Sequence, residues 1–478
     1  MKRSFVFWTR ILILGFVLTG GSSLFASTDT NPPIRSWSFI DGDGINGINK
    51  ESAKDAFSPQ LTIFNSKLYV IWEENKIGLG SSVVGQIRVA VYNGNDSAPA
   101  WSFVDGDGVN GINKNCWQNA SAPKLVIANA RLYATWQESN GFANQIRVAA
   151  YNGNDRQPAW SFVDGDGTNG INKDPARNAS AAELAPLNSK LYAIWVEEND
   201  PTYQSRAEEN YATYQIRAAV YDGNDKRPGW SFVDGNGKIG LNKECSQDAF
   251  CPQLTLGDQK LYATWYEHVF DQTADKDQAY QVRVAAYNGN DAHPNWWLVD
   301  GDGESGINKA GAIIRKVPRL AALNNKLYAA FNEYARTSKA RAILYNEYNE
   351  PAQVKVAVYN GNDRQPAWST VGGGSLRGIN NASSKNAFNP QLASINSTLY
   401  AIWTESNGKK DQVRVAAYSG NDDRPGWGFL DGNGINGLNK DGLKNASAPQ
   451  LAGINSRLYA VWVEPNQAAN QIRVAVFK

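Results

Sequence analysis

Short runs of alternating apolar and polar residues, separated by turn residues, occupy the chain from residue 34 onward. A representative stretch starts at Ala122 and contains the runs APKLVIAN, RLYATWQE and QIRVAAYNGND. Runs of this length and period are typical of β-strands, whereas a helix shows a period of about 3.6 residues. Asn-Gly pairs such as Asn93-Gly94 readily close hairpins, because both residues tolerate a positive φ. The pattern therefore predicts an all-β protein built from antiparallel hairpins.

One unit recurs seven times along the chain. Each copy opens with a Trp strand and continues with a Pro-x-Leu strand, a Leu-Tyr-Ala-x-Trp-x-Glu strand and a Gln-Ile-Arg-Val-Ala strand. Four strands per copy predict a seven-bladed β-propeller with four-stranded antiparallel blades. An open β-solenoid is the alternative, although solenoid coils repeat at shorter periods. The opening tryptophans are Trp37, Trp101, Trp160, Trp230, Trp296, Trp368 and Trp427.

The order of strands within a copy predicts how the ring closes. If the Trp strand is the outermost strand of a blade, the first Trp strand must complete the blade made by the last three strands. We therefore expect residues 34–41 to pair with residues 471–478. Such pairing removes the open interface that a linear array of repeats would expose.

Residues 1–26 have the composition of a secretory signal peptide. Basic residues precede an apolar run from Ile11 to Leu18, and small residues follow up to Ala26. This order predicts cleavage near Ala26 and a protein that is secreted or held at the cell surface. An uncleaved membrane anchor is the alternative, but the run is short for a bilayer core about 30 Å thick. We expect residues 27–478 to form a single propeller domain, monomeric and without a transmembrane segment.

The charge balance narrows the range of partners. The chain has 47 Lys and Arg residues against 46 Asp and Glu residues, a formal net charge of +1. Because positive and negative charges are nearly equal in number, we expect no broad basic surface, which argues against nucleic acid as a partner. Only 2 histidines are present, so His-based catalysis or metal binding cannot recur in every copy. The expected partner is a glycan or a surface protein.

Charged residues that recur in every copy are interpreted as part of the blade, because a single active site occurs only once in a ring. In every copy a glutamate lies two residues after the tryptophan of the Leu-Tyr-Ala-x-Trp-x-Glu strand, or after the phenylalanine that replaces this tryptophan in one copy. The glutamate faces a basic residue across the predicted hairpin. Carboxylates beside arginines can transfer protons, but they also form structural ion pairs between neighbouring strands. We expect the structural role. The glutamates are Glu74, Glu138, Glu197, Glu267, Glu333, Glu405 and Glu464.

Acidic, glycine-rich loops follow the Trp strand in most copies. Alternating Asp and Gly residues resemble the start of a calcium-binding loop, in which positions one and three supply oxygen ligands. The rest of the EF-hand spacing is missing, and a turn in which Asp accepts backbone N–H groups is the alternative. Calcium is thus the one candidate cofactor. Its candidate ligands are Asp41, Asp43, Asp105, Asp107, Asp164, Asp166, Asp300 and Asp302.

Antiparallel strand order divides the connections between two faces of the ring. The loops after the Trp strand and after the Trp-x-Glu strand emerge on one face, which we call the loop face. The Asn-Gly turns and the Asn-Ser-Lys turns emerge on the opposite face, the turn face. Long loops with aromatic residues predict a ligand-binding rim on the loop face, although such loops can also pack on one another. The rim residues are Tyr203, Tyr211, Tyr214, Phe270, Tyr280, Tyr345 and Tyr348.

The three cysteines allow one short bridge. Cys245 and Cys251 lie in the same predicted loop and can form a disulfide in an exported protein. Cys116 occupies the repeat position of Cys245 without a second cysteine nearby, and we expect it to be free. The chain has no Cys-x-x-Cys motif, which argues against redox catalysis.

The repeated unit resembles that of exported bacterial β-propellers of the kelch-like and sialidase-like type. The resemblance rests on Pro-x-Leu, Asn-x-x-Leu-Tyr-Ala-x-Trp-x-Glu and Gln-Ile-Arg-Val-Ala-x-Tyr-Asn-Gly, and it covers residues 34–478. Propellers of this kind include sugar-binding lectins, adhesion modules and some glycosidases. The sialidase Asp box, Ser-x-Asp-x-Gly-x-Thr-Trp, does not occur in the chain, so no catalytic residue is carried over.

The near-neutral, aromatic-rich loop face favours a lectin-like, carbohydrate-binding module. A protein-interaction scaffold or adhesin is the first alternative. The second is a polysaccharide-degrading enzyme, for which His268 beside Glu267 is the one unusual local pairing. No catalytic constellation is evident in the sequence, so the prediction leans away from an enzyme.

Overall fold

The computed structural model describes residues 36–42, 45–77, 83–106, 110–165, 167–199, 213–235, 240–244, 246–269, 279–302, 305–308, 312–335, 351–372, 378–431 and 436–478. Within these ranges the chain forms 28 β-strands. The same ranges contain no helix long and apolar enough to cross a membrane.

Six blades each take four consecutive strands, from the innermost strand to the outermost. Blade 1 contains β2 (Ala56–Phe64), β3 (Lys67–Ile77), β4 (Val83–Tyr92) and β5 (Trp101–Phe103). Blade 2 contains β6 (Ala120–Ala128), β7 (Arg131–Ser139), β8 (Asn144–Tyr151) and β9 (Trp160–Phe162). Blade 3 contains β10 (Ala179–Leu187), β11 (Lys190–Glu198), β12 (Tyr214–Tyr221) and β13 (Trp230–Phe232).

The remaining blades follow the same order. Blade 4 contains β14 (Ala249–Gly257), β15 (Lys260–Val269), β16 (Ala279–Tyr287) and β17 (Trp296–Leu298). Blade 5 contains β18 (Ala312–Leu323), β19 (Lys326–Ala335), β20 (Gln353–Tyr359) and β21 (Trp368–Thr370). Blade 6 contains β22 (Ala387–Ile395), β23 (Thr398–Ser406), β24 (Asp411–Tyr418) and β25 (Trp427–Phe429). Blade 7 contains β26 (Ser447–Ile454), β27 (Arg457–Pro465), β28 (Asn470–Phe477) and, as its outermost strand, β1 (Trp37–Phe39).

The innermost strands of neighbouring blades contact one another around the whole ring, including blade 7 with blade 1. The predicted seven-bladed β-propeller is therefore confirmed. The predicted closure is confirmed as well, because Trp37 pairs with Phe477 and Phe39 with Ala475. Ser36 extends this pairing, since its backbone N–H donates to the Lys478 carbonyl oxygen at 3.1 Å.

Two aromatic residues in each repeat join neighbouring blades, and both are tryptophans except in blade 5, where Phe331 replaces one. The indole of Trp136 is fully buried in an apolar cluster with Ile87 of blade 1, and five blades carry an equally buried tryptophan at this position. The outermost Trp160 donates its indole N–H to the Val104 carbonyl oxygen of the preceding blade at 2.8 Å. Equivalent hydrogen bonds follow from Trp37, Trp101, Trp230, Trp296, Trp368 and Trp427. Burial of these large rings is the main source of blade-to-blade stability.

Candidate active site

The repeated glutamates of the loop face are buried acceptors. The Glu138 carboxylate accepts hydrogen bonds from Trp136 Nε1 at 2.8 Å and from the Lys114 and Asn115 amides at 3.0 and 2.7 Å. Burial raises the pKa of Glu138, and these hydrogen bonds oppose the rise. Three equivalent hydrogen bonds hold Glu267. Glu267 is thus held as a buried acceptor like the other repeated glutamates, and the pairing of Glu267 with His268 stays a prediction.

The repeated arginines lie closest to the first aspartate of the acidic loops, whereas the contact with the glutamate across the hairpin is longer, 3.9 Å from Arg283 to Glu267. Arg147 lies 3.3 Å from Asp164, and Lys114 of the preceding repeat approaches the same carboxylate at 3.1 Å. Burial raises the pKa of Asp164, and the charges of Lys114 and Arg147 oppose the rise. The same arginine contact occurs at Asp41, Asp105, Asp234, Asp300 and Asp431. These aspartates connect neighbouring blades.

The acidic loop interrupts the outermost strand. Before the loop, Val104 donates its N–H to the Val89 carbonyl oxygen at 2.9 Å, and after it, Ile112 donates to the Ile87 carbonyl oxygen at 3.0 Å. A side chain at Gly111 would come within 2.3 Å of that Ile87 oxygen, so only glycine lets the chain return to the blade edge. The loop therefore begins and ends on the same neighbouring strand.

The calcium prediction stays a prediction. Four of its eight candidate ligands, namely the first aspartate of each loop, are buried against arginine. Asp43, Asp107 and Asp166 lie outside the described residues, and Asp302 is exposed. Among the residues that the structure describes, no three metal-ligating side chains of the His, Cys, Asp or Glu type come together.

Two residues of the predicted aromatic rim belong to one cluster. Tyr214 of blade 3 lies 5.5 Å from Phe250 of blade 4, measured between ring centroids. Phe250 and Tyr280 each lie 5.5 Å from Tyr266, and the His268 ring lies 5.4 Å from Tyr280. We call these five side chains the aromatic cluster. The other predicted rim residues, Tyr203, Tyr211, Phe270, Tyr345 and Tyr348, lie outside the described residues.

Cys251 adjoins the aromatic cluster rather than an isolated loop. It occupies a bulge in β14 with φ of 51°, and its thiol shares a hydrogen bond with the Tyr266 hydroxyl. Burial raises the pKa of that hydroxyl, and Cys251 raises it further. Cys245 lies outside the described residues, so the predicted Cys245–Cys251 bridge stays a prediction. Cys116 carries a free thiol.

One carboxyl group of the loop face has no counterpart in the other copies. Glu73 follows Trp72 in β3 and lies between blades 1 and 2, where the Ala122 N–H donates to its carboxylate. Burial raises the pKa of Glu73 to about 7, although this hydrogen bond lowers it. The side chain is only half-buried, so water or substrate can reach it. The equivalent residues are Gln137, Val196, Tyr266, Asn332, Thr404 and Val463.

Gly85 makes the space that Glu73 occupies. A methyl group at Gly85 would lie 2.2 Å from the Ala120 carbonyl oxygen and 3.1 Å from Glu73 Oε1. Its φ is not in the left-handed region, so the glycine is required for close approach and not for backbone conformation. The six equivalent positions carry side chains: Asn144, Tyr214, Tyr280, Ala352, Asp411 and Asn470. Glycine and glutamate are therefore paired departures from the repeat.

A charged pair lies beside this niche on the innermost strands. Lys124 of β6, two residues after Ala122, is 3.2 Å from Glu183 of β10. The equivalent positions in the other blades are Gln60, Gln253, Arg319, Gln391 and Gln450. Glu73 of β3 and Glu183 of β10 thus both contact β6, the first through the Ala122 N–H and the second through Lys124.

Two large aromatic side chains on this part of the loop face are exposed. Trp117 is 55% exposed, and Phe142 at the tip of the β7–β8 hairpin is 96% exposed. Sequence reasoning missed both, together with Glu73. The available signal was departure from the repeat, because Trp117 is one of the few tryptophans outside the repeated positions.

The turn face is built from repeated inter-blade contacts. Asp155 of blade 2 accepts hydrogen bonds from Lys67 at 2.6 Å, Tyr69 at 2.7 Å and Tyr151 at 2.9 Å. Burial raises the pKa of Asp155, but the three donors together outweigh it and hold the pKa below its usual value. Equivalent basic partners reach Asp96, Asp225, Asp291, Asp363 and Asp422. We call this arrangement the aspartate clasp.

Two cavities lined by described residues open on the turn face. Their volumes are about 380 and 240 Å³. The larger is lined by Lys67, Tyr92 and Asp155, and the smaller by Arg131 and Asp225, with neighbouring turn residues. Because the clasps themselves form the walls, these cavities follow from the repeat and do not mark a unique site.

Comparison with known proteins gives matches of fold only. No protein-family model and no curated protein sequence matches the chain. The polysaccharide lyase Uly1 is similar in structure, with 9% identity, a TM-score of 0.52 and coverage of 92% of this chain and 97% of that one. The α-L-arabinofuranosidase Arb93A from Fusarium graminearum gives 10% identity and a TM-score of 0.45, and the match covers 80% of this chain and 96% of the arabinofuranosidase. A sialidase from Trypanosoma rangeli gives 10% identity and a TM-score of 0.41, and the match covers 79% of this chain and 56% of the sialidase.

These matches correct the functional prediction. A lectin-like module was expected from the aromatic-rich loop face, with a protein scaffold as the first alternative. The structure with the highest of these TM-scores, Uly1, is instead a polysaccharide lyase. The preference for a lectin-like binding module was therefore wrong.

Proposed function

We propose that this protein is a polysaccharide-degrading enzyme and that Glu73 is its catalytic acid. The observation that carries the proposal is the carboxyl group itself: it occurs in one copy only, is half-exposed on the loop face, and has a pKa raised to about 7. Cleavage of a glycosidic bond needs a proton on the departing oxygen, and a carboxyl group supplies it at neutral pH only when its pKa is raised.

The niche fixes the carboxyl group for that role. The Ala122 N–H holds one oxygen, and the glycine at position 85 lets the group lie directly on the backbone of β4. Orientation by a rigid strand lowers the cost of reaching the reactive geometry. The group is therefore held by the sheet and not by a loop.

The second carboxyl group that such chemistry commonly uses is assigned to Glu183. Its carboxylate lies 3.2 Å from the ammonium group of Lys124. Lys124 belongs to β6, the strand that also supplies the Ala122 N–H bound to Glu73. Glu73 donates its proton to the departing oxygen as the glycosidic C–O bond breaks, and the Glu183 carboxylate stabilises positive charge on the sugar or takes a proton from the attacking water. Similarity of fold to the polysaccharide lyase Uly1 supports the same class of substrate.

Product formation from a panel of neutral and acidic polysaccharides tests the proposal. We expect the purified protein to release new chain ends, and Glu73→Gln to lower kcat by at least about 100-fold, as for loss of a general acid. Glutamine still accepts the Ala122 N–H, so folding should not change. Gln137→Ala, at the equivalent position of blade 2, is the matched control and should retain full activity.

His268→Ala separates this site from the aromatic cluster. Unchanged turnover in this variant supports the site at Glu73. Loss of turnover in His268→Ala with full turnover in Glu73→Gln would move the site to blade 4 and overturn the assignment. Absence of any new chain ends across the panel would overturn the enzyme itself.

A further inference from the structure

Trp117 occupies a turn position that is otherwise small or aliphatic. The equivalent residues are Ala53, Ala176, Ser246, Ser384 and Leu443. Because no other copy needs a ring there, Trp117 does not serve the blade. It is 55% exposed, which leaves much of its surface free for stacking. An exposed indole of this kind provides a flat apolar surface on which a sugar ring can lie.

A lysine adjoins the indole. The Nζ of Lys76, in β3, lies 5.7 Å from the Trp117 ring centroid and 2.9 Å from Asn110 Oδ1. The equivalent positions hold Asn140, Asn199, Val269, Ala335, Asn407 and Asn466. Lys76 is thus the only cation at its repeat position.

Other lysines of the loop face differ from Lys76 in their partners. Lys114 lies over a phenylalanine at 4.6 Å and also forms an ion pair with an aspartate at 3.1 Å. Lys440 repeats both contacts, at 4.8 and 2.9 Å. Lys76 has a neutral amide in place of the carboxylate, and no ion pair to it occurs among the described residues. A cation without a carboxylate partner beside a flat ring matches an anionic sugar.

The lysine and the indole lie where blades 1 and 2 meet, as Glu73 does. The turn that carries Trp117 continues to Asn119, whose Oδ1 accepts the Gly85 N–H at 2.8 Å. The carbonyl oxygen of Asn119 accepts the Ser139 N–H at 3.0 Å, which fixes the hairpin that carries Phe142. Two hydrogen bonds therefore tie both exposed rings to the wall of the Glu73 niche.

We propose that Lys76 and Trp117 form a subsite for an acidic sugar, so that the substrate is an anionic polysaccharide. This rests on the proposed function. One sugar ring stacks on Trp117 while its carboxylate or sulfate group pairs with Lys76. Phe142 extends the platform along blade 2, so the subsite holds a chain rather than a single sugar. The acidic sugar thereby lies next to the bond that Glu73 protonates.

Binding of defined oligosaccharides to the Glu73→Gln protein tests this, with calorimetry as the readout. Three ligand sets are used: uronate-containing, sulfated and neutral oligosaccharides of equal length. We expect tighter binding of at least one acidic set, weakened by salt because the contact is ionic. Lys76→Met should lower that affinity about tenfold, the loss of one charge-assisted contact, and should leave neutral ligands unaffected.

Trp117→Ala should weaken acidic and neutral ligands alike, about fivefold, because stacking does not depend on charge. Lys409→Ala removes an exposed loop-face lysine of blade 6, and Leu443→Ala truncates the position equivalent to Trp117; both should bind like the parent protein. The uronate and sulfate arms distinguish which anionic group is recognised.

Equal affinity for acidic and neutral ligands, unchanged in Lys76→Met, would overturn the subsite while leaving the role of Glu73 intact. Acidic preference lost in Lys76→Met, together with full turnover in Glu73→Gln, would instead retain the subsite and remove Glu73 as the acid. Absence of binding by every ligand set would overturn the subsite directly.

Discussion

The interface between blades 1 and 2 contains a carboxyl group at each end, and the two have opposite character. On the turn face, Asp155 accepts three side-chain hydrogen bonds, and its pKa is held below the usual value. On the loop face, Glu73 has the Ala122 N–H as its opposing contact, and burial raises its pKa to about 7. Both groups join the same two blades, but only Asp155 is fully compensated.

The difference follows from repetition. Asp155 recurs with its lysine and tyrosine partners in most blades, so its surroundings are those of a structural ion pair. Glu73 occurs once and is paired with a glycine found in no other copy. A buried carboxyl group without a cationic partner favours its protonated form. In a ring of similar blades, a carboxyl group that occurs in one copy and lacks a cationic partner is a candidate for a catalytic residue.

Filling the niche at Gly85 should have the largest effect. In Gly85→Ala the added methyl group would meet the Ala120 carbonyl oxygen at 2.2 Å, so the backbone must shift. We expect a loss of about 2–3 kcal/mol in the free energy of unfolding, measured by urea denaturation, as for an overpacked core, and loss of turnover. Gly428→Ala, where nothing lies within 4 Å, is the control. Normal stability and turnover in Gly85→Ala would contradict the close packing of this niche.

Removing the charge of the clasp should have a smaller effect that is confined to stability. Asp155→Asn weakens the contacts with Lys67 and two tyrosines, and we expect a loss of about 1–2 kcal/mol at neutral pH. Because the pKa of Asp155 is depressed in the fold, its contribution is present above the unfolded value and is lost as the pH falls through the folded value.

Urea denaturation at neutral and acidic pH checks this, and turnover should not change. The exposed Asp423→Asn is the control on the same face. If Asp155→Asn abolished turnover while preserving stability, the division of roles between the two faces would be wrong.

The contribution of Glu73 to the free energy of unfolding should be the smallest of these effects, and its dependence on pH should be opposite in sign to that of Asp155. Its folded pKa of about 7 exceeds the ordinary value of 4.5. The extra stability is therefore fully present below 4.5 and is lost as the pH rises through 7, by about 1 kcal/mol after allowance for partial exposure. Glu73→Gln should remove this slope.

Turnover should decline over the same interval, because the catalytic acid becomes ionised above pH 7. Denaturation curves and kcat/KM measured from pH 5 to 9, roughly two units on either side of this pKa, test both expectations. A flat kcat/KM profile across neutrality would show that another group supplies the proton.

The repeated features could be predicted from the sequence, because each occurs several times and averages out local ambiguity. The Asn-Gly turns, the strand order and the pairing of β1 with β28 all follow from such repetition. The partners of the acidic loops could not be predicted in this way. Arg88 reaches Asp105 only because the chain leaves the outermost strand and returns to it at Gly111, and this path depends on backbone geometry.

The candidate site was missed for the opposite reason. Glu73 lies beside Glu74 in an ordinary-looking strand, and its raised pKa depends on contacts with Ala122 and Gly85 from other strands. Column-by-column comparison of the copies would have shown the exception. The aromatic rim was predicted from residues in long loops, whereas Phe250 and Tyr266 of the aromatic cluster lie within strands.

The shared seventh blade has a consequence for how the protein is made. Its outermost strand, β1, precedes the strands of the other six blades in the chain, whereas β28, with which it pairs, follows them. Until β27 and β28 have been made, the apolar side of blade 1 that contains Val70 and Trp72 has no partner from Val461 and Val474. A nascent chain therefore exposes this apolar surface from the time blade 1 is made until the strands of blade 7 follow.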